Sequence, residues 1–209
     1  MSSDSGPTSS ADERVLLEHP VHELIARRHS TRTFSPKPVD GATIGSLLEA
    51  ARWAASCTNE QPWSFIVTAK DRPSGYDRLL GCLVEFNFQW AQHAPVLMLS
   101  VARLNFAATG KPNRHAWHDV GEATAQLVLQ AAAMGLATHQ MAGFDVQKAR
   151  EAFAIPQGYD PVSVIAVGYP GDPASLSDKL REKELAPRQR KPLREFVFSG
   201  TWGERSTWI

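Results

Sequence analysis

Arg27-Arg28-His29-Ser30-Thr31-Arg32 and, beyond one amphipathic stretch, Ser56-Cys57-Thr58-Asn59-Glu60-Gln61-Pro62-Trp63 are the two segments on which the reading of this chain turns. The first packs three arginines and two hydroxyls into six residues. Guanidinium forks pair bidentately with phosphate oxygens and hydroxyls fill the remaining acceptor sites, so the set suits a phosphate. The same residues also suit a solvated helix end whose arginines offset the macrodipole. What stands elsewhere in the chain decides between the two.

Around these segments lie 209 residues with 43% hydrophobic composition, enough to bury a core and closer to one domain with extensions than to two. Basic and acidic residues balance at 22 each, so no long-range field gathers nucleic acid or an anionic membrane. Cys57 and Cys82 are far apart and form no C-x-x-C pair, which argues against a disulfide framework and a thiolate zinc site. A reducing cytoplasm is the setting expected. No segment approaches about 18 uninterrupted apolar residues, and the polar, acidic start reads as a disordered leader over residues 1–14.

Helical spacing of Val21, Leu24, Ile25 and Arg28 predicts a helix that ends at the turn chemistry of Ser30 and Thr31. Asp40 caps a second helix carrying Ile44, Leu47, Leu48, Ala51 and Ala55 on one face. Residues 64–69 read as a strand, 71–75 as a turn, 76–84 as a helix and 95–102 as a buried strand. The alanine-rich, nearly uncharged stretch from Asp119 to Met134 is the central helix, stopped by Gly135. A strand at 136–140, a helix capped by Asp145 and a strand at 162–167 complete a mixed α and β domain over 15–194. The tail from 195 to 209 holds Phe196, Phe198, Trp202 and Trp208, and so many aromatics suit docking on a second copy of the chain.

Neither G-x-G-x-x-G nor G-x-x-x-x-G-K-[ST] occurs, so phosphate binding would have to come from side chains. His115-Ala116-Trp117-His118-Asp119 matches no zinc spacing and suits a helix start better than a metal site. Cys57 has no sequence-adjacent base and reads as a small packed thiol rather than a nucleophile.

Taken in order, Arg28-His29-Ser30-Thr31-Arg32, Pro38-Val39 and Ser56 to Val67 resemble the opening of the FMN-dependent nitroreductase family. The likeness continues through Asn87 with Trp90-Ala91, Ala94-Pro95, Asp119-Val120-Gly121, Gly143-Phe144-Asp145, Val167-Gly168-Tyr169-Pro170 and Arg188-Gln189-Arg190, and so spans about Val21 to Arg194. Each piece alone is weak, but the ordered set favours the phosphate reading of the arginines.

The resemblance implies an α+β fold with a central, mostly antiparallel sheet flanked by helices. It further implies a homodimer that exchanges its C-terminal tails and holds one FMN in each of two interfacial sites. Arg28, His29, Ser30 and Arg32 would hold the phosphate and ribityl end, joined by Arg188 and Arg190. Asn87, Gln140, Met141, Ala142 and Gly143 would line the isoalloxazine, while Ser56, Cys57 and Asn59 would reach the flavin of the partner subunit. NADH or NADPH would deliver hydride to the flavin, and a small acceptor such as a nitroaromatic or quinone would take the electrons in ping-pong order. No metal and no catalytic side chain are implied, because the chemistry belongs to the flavin. Three alternatives stand beside this: an FMN carrier or sensor with little turnover, another flavin reaction such as dehalogenation or dehydrogenation, and a flavin-free structural dimer whose arginines pair with acidic residues. Residues 105–115 and the aromatic helix around Phe86, Phe88 and Trp90 suit either a substrate lid or ordinary surface and dimer packing. Ala55, Cys57 and Ala142 depart from the family's usual proline, serine and acidic residue. The last of these implies a more open or more apolar pocket.

Overall fold

The computed structural model describes residues 16–209, so the expected leader lies outside the described residues. The chain divides into two compact units, Arg28–Glu184 and a smaller one made of Leu185–Ile209 with the described part of Met1–Arg27.

After α1 (Glu23–Arg27) in the smaller unit, the larger one runs α2 (Gly41–Arg52), β1 (Trp63–Ala69), α3 (Pro73–Leu80), α4 (Glu85–Ala91), β2 (Val96–Arg103) and α5 (Ala116–Ala133). It continues through β3 (Ala137–Met141), α6 (Val146–Ala152) and β4 (Tyr159–Gly168), and ends in α7 (Asp178–Leu185). The strands form one sheet in the order β1-β2-β4-β3, and every neighbouring pair is antiparallel. This is the α+β arrangement around a central antiparallel sheet that the sequence leads one to expect.

Strand alternation builds two cores on the sheet's two faces. Val96 and Met98 of β2 with Ile165 and Val167 of β4 pack against Leu47 and Ala51 of α2 and Ala123, Leu127 and Ala131 of α5. On the opposite face Leu97, Leu99 and Val101 with Val164 and Ala166 meet Leu79, Trp90, Met141 and Phe144. A strand covered on both faces reads as a near-continuous apolar run, which is why β2 is so plain in the sequence. Leu47, Leu97, Leu99 and Leu127 are wholly removed from water, each contributing about 1.5–3 kcal/mol relative to exposure.

Caps set several boundaries. Asp40 accepts from the Thr43 amide at 2.7 Å to start α2, Asp145 accepts from the Lys148 amide at 2.9 Å to start α6, and Gly135 ends α5 with φ +74°. The expected turn at 71–75 instead passes into α3, because Pro73 carries the preset φ of a first helical position. Strand β4 starts at Tyr159, earlier than expected, and passes through Pro161. The pairing of β2 with β4 shifts register between Ser100 and Val101, and such an irregularity admits a residue with no N–H. Helix α7 was not foreseen, since only Leu180 and Glu184 of its polar sequence are buried.

Within the smaller unit, Arg188 Nη2 donates to the Ala26 carbonyl at 2.6 Å and the Leu193 amide donates to Glu18 Oε2 at 3.1 Å. Phe198 and Trp202 meet with ring centroids 5.0 Å apart, while Trp208 is 88% exposed.

Candidate functional site

Arg27 closes α1, and residues 28–32 lie outside helices, with Ser30 forming a parallel bridge with Thr138 of β3. Ser30 is exposed and Arg28 and Arg32 are half-buried, whereas Thr31 and Thr33 face inward at 2% and 4% exposure. The Thr31 carbonyl accepts from His139 Nδ1 at 2.8 Å, and the imidazole stands against the Trp90 ring at 4.4 Å between centroids. Burial lowers the His139 pKa to about 4, which keeps the ring neutral near pH 7 with a single N–H to donate. The Glu184 carboxylate accepts from Thr31 Oγ1 at 2.5 Å and from the Arg32 amide at 2.9 Å, with His29 Nε2 at 3.6 Å. Burial pushes the Glu184 pKa up, but the bonds from His29, Thr31 and Arg32 outweigh it and hold the carboxyl below its ordinary value. Arg32 Nε is buried without a hydrogen-bond partner, and its side chain lines a cavity of about 400 Å³ with Phe34, Trp90, His93 and Leu180.

Strand β3 pairs in the sheet with β4 alone, so its other edge is open beyond the Ser30 bridge. Along the chain from that bridge come exposed Gln140, buried Met141, exposed Ala142 and half-buried Gly143. The Gly143 carbonyl accepts from the Val84 amide at 3.1 Å and from Asn87 Nδ2 at 3.0 Å, which ties α4 to the end of β3. A Cβ on Gly143 would lie 2.6 Å from Asn87 Nδ2, so a side chain here would make the Asn87 amide give way. Arg28 to Arg32, Asn87 and Gln140 to Gly143 are therefore brought to one region of the larger unit.

Ser56, Cys57 and Asn59 sit on the loop after α2, held from other directions. The Cys57 amide donates to Asp119 Oδ2 at 3.1 Å, and Ser56 Oγ accepts from the Gln61 amide at 3.0 Å. Glu60 pairs with Arg103 and accepts from the Ala107 amide at 2.7 Å. Thr58, Asn59 and Gln61 have φ of 54°, 56° and 49°, a left-handed conformation costing about 1–2 kcal/mol per residue. Such backbone persists only where surrounding bonds fix it. Residues 105–115 close on themselves through the Asn105–Pro112 bridge and the Phe106 amide, which donates to the Lys111 carbonyl at 2.9 Å. Of the aromatic helix, Phe86 is exposed, Phe88 half-buried and Trp90 fully in the core.

Arg188 and Arg190 belong to the smaller unit, where Arg190 is exposed and its Nη1 donates to the Gln189 carbonyl at 2.7 Å. Reasoning from sequence missed Glu184, His139 and the loop-holding role of Asp119. Glu184 sits in a helix that reads as solvated, His139 in a strand with no motif around it, and Asp119 looked like a helix-start residue.

The residues present fit a flavin mononucleotide. Guanidinium and hydroxyl donors gather at one end, one buried guanidinium nitrogen lacks an acceptor, and an open strand edge ends at a glycine beside an amide side chain. Among the described residues no helix is long and apolar enough to cross a membrane.

Comparison with known proteins gives the family. The model of the nitroreductase family matches residues 25–83 and 76–169. A solved structure described as an oxidoreductase containing FMN superposes with a TM-score of 0.87 at 31% identity, covering 95% of this chain and all of that one (100%). The NADH dehydrogenase of Thermus thermophilus is 27% identical over 186 residues, covering 74% of this chain and 88% of that protein. Iodotyrosine deiodinase 1 of Rattus norvegicus is 25% identical over 199 residues, covering 83% of this chain and 70% of its own length.

Proposed function

Because this chain belongs to the nitroreductase family of FMN-dependent oxidoreductases, we propose that it takes hydride from NADH or NADPH and passes the electrons to a small acceptor such as a nitroaromatic or quinone. The observation that carries this reading is the Ser30–Thr138 bridge, which sets a phosphate-binding set of donors beside the open edge of β3 just before Gln140 to Gly143. The likeness to an NADH dehydrogenase supports a nicotinamide as the reductant.

In this reading Arg28, Ser30 and Arg32 bind the phosphate and ribityl end, while the side chain of His29, first expected among them, turns to Glu184 at 3.6 Å. Charge-assisted hydrogen bonds contribute roughly 1.5–3 kcal/mol each before desolvation, so several retain a cofactor without a covalent link. Arg188 and Arg190 are assigned to the same phosphate from the sequence resemblance alone. Asn87 and Gln140 to Gly143 orient the ring system, and exposed Ala142 leaves its rim apolar. Bound flavin supplies the two-electron chemistry. The protein binds, orients and excludes water, and no acid–base pair is needed.

We further propose a cytoplasmic homodimer in which Ser56, Cys57 and Asn59 serve the partner's flavin. Trp53 and Trp117 of the larger unit are 72% and 58% exposed, apolar surface of the kind a second subunit covers. The likeness to a deiodinase favours a second reading, reductive dehalogenation by the same cofactor. Steady-state turnover with NADH and NADPH against a nitroaromatic, a quinone and an iodinated phenol separates the two. Reduction of the first pair supports the leading reading, and turnover of the iodinated phenol alone supports the second.

A further inference from the structure

In the segment Arg28 to Thr33, Ser30 is exposed and Arg28 half-buried, whereas Thr31 and Thr33 are buried and the Arg32 side chain lines a cavity with Phe34, Trp90 and Leu180. His29 and Thr31 both turn to the carboxylate of Glu184, which also accepts the Arg32 backbone amide. We infer that Glu184 is a positioning residue for the cofactor, fixing Thr31 and the Arg32 backbone so that the donors of this segment, Ser30 above all, are held where the phosphate would bind. The inference rests on the reading of Arg28, Ser30 and Arg32 as phosphate ligands.

The chemistry calls for a carboxylate at this place. Glu184 is 7% exposed and Thr31 2%, and without the carboxylate the Arg32 amide would lose its acceptor while Thr31 Oγ1 would keep only a long, 3.3 Å bond to the Thr33 carbonyl. One carboxylate accepts on both oxygens at once; an amide side chain offers one oxygen and turns an N–H₂ toward the other donor. Leu180 and Glu184, the two buried residues of α7, are one turn apart on a single face, so the helix that delivers the carboxylate is anchored in the core by the leucine.

The test is a titration of flavin-free full-length protein with FMN and with riboflavin, which lacks the phosphate, for the parent, Glu184→Gln and Glu184→Ala. The parent is expected to prefer FMN. Glu184→Gln is expected to weaken FMN binding about tenfold, the loss of one charge-assisted bond, while riboflavin affinity stays at the parental value. Should Glu184→Ala fail to fold, Glu184→Gln carries the comparison, with thermal melting as the check on its fold. An unchanged ratio of FMN to riboflavin affinity in Glu184→Gln, whether both affinities fall together or neither moves, overturns the role of Glu184 and leaves the phosphate assignment standing. A parent that binds FMN no better than riboflavin overturns the phosphate assignment and the role of Glu184 with it.

Discussion

The side-chain amide of Asn87 donates to the carbonyl of Gly143 across 3.0 Å, and a Cβ on Gly143 would lie 2.6 Å from that same nitrogen. Helix α4 and the end of β3 are thus joined where any larger residue forces Asn87 away. Gly143→Ala is expected to break this bond, costing about 1 kcal/mol, and to weaken FMN binding several-fold with the fold retained. Flavin titration beside circular dichroism checks it. FMN affinity equal to the parent's would show that the joint does not shape the site.

Asp119 is 2% exposed and holds the Cys57 amide at the head of a loop with three left-handed non-glycine residues, Thr58, Asn59 and Gln61. Removing the acceptor leaves a backbone donor unpaired and releases the loop. Asp119→Ala should therefore destabilise the protein by about 1–3 kcal/mol. Urea unfolding measures this, and hydrogen exchange should show the new opening at residues 56–61. A change below about 0.5 kcal/mol would mean that Glu60 and its partners hold the loop without Asp119.

His139 predicts a pH dependence of stability. Its folded-state pKa of about 4 lies below its ordinary value of 6.5, chiefly because of burial. The unfolded chain therefore binds the proton first, and stability falls as pH drops from about 6.5 towards 4, by at most about 1.4 kcal/mol per pH unit. His139→Gln can still donate to the Thr31 carbonyl but does not titrate. It should flatten the denaturation midpoint over that window, and a slope identical to the parent's would assign the dependence to other groups.

Arg190 is exposed and carries no strain, so its replacement should leave the fold unmoved. If it meets the flavin phosphate, Arg190→Ala weakens FMN retention by about 1.5 kcal/mol or more, roughly tenfold. Flavin content after gel filtration reads this directly, and parental content would remove Arg190 from the site.

Much of the fold could be read from residue patterns. β2 is apolar but for Ser100 and the closing Arg103 because both its faces are covered, α5 is a long alanine-rich stretch because sheet and α2 enclose it, and Asp40, Asp145 and Gly135 mark element ends with their own chemistry. The donors at Arg28 to Arg32 were visible as a dense local motif. Glu184 was not, because it lies 153 positions from Thr31 and its helix differs from a solvated one by only two buried residues. The early start of β4 was hidden by Pro161, which argues against a strand until the register shift opposite it is known. His139 and Asp119 carry no motif because their roles, a ring N–H to the Thr31 carbonyl and a carboxylate to the Cys57 amide, arise only when distant segments meet.

The central claim, that the chain binds FMN and passes reducing equivalents from a nicotinamide through it, is met most directly by the visible spectrum of the purified protein before and after anaerobic NADH or NADPH. A flavin absorption band that bleaches on addition of the nicotinamide and returns on adding a quinone is the predicted result. A fully folded, colourless protein that takes up no added FMN, or a bound flavin that neither nicotinamide bleaches, would contradict it.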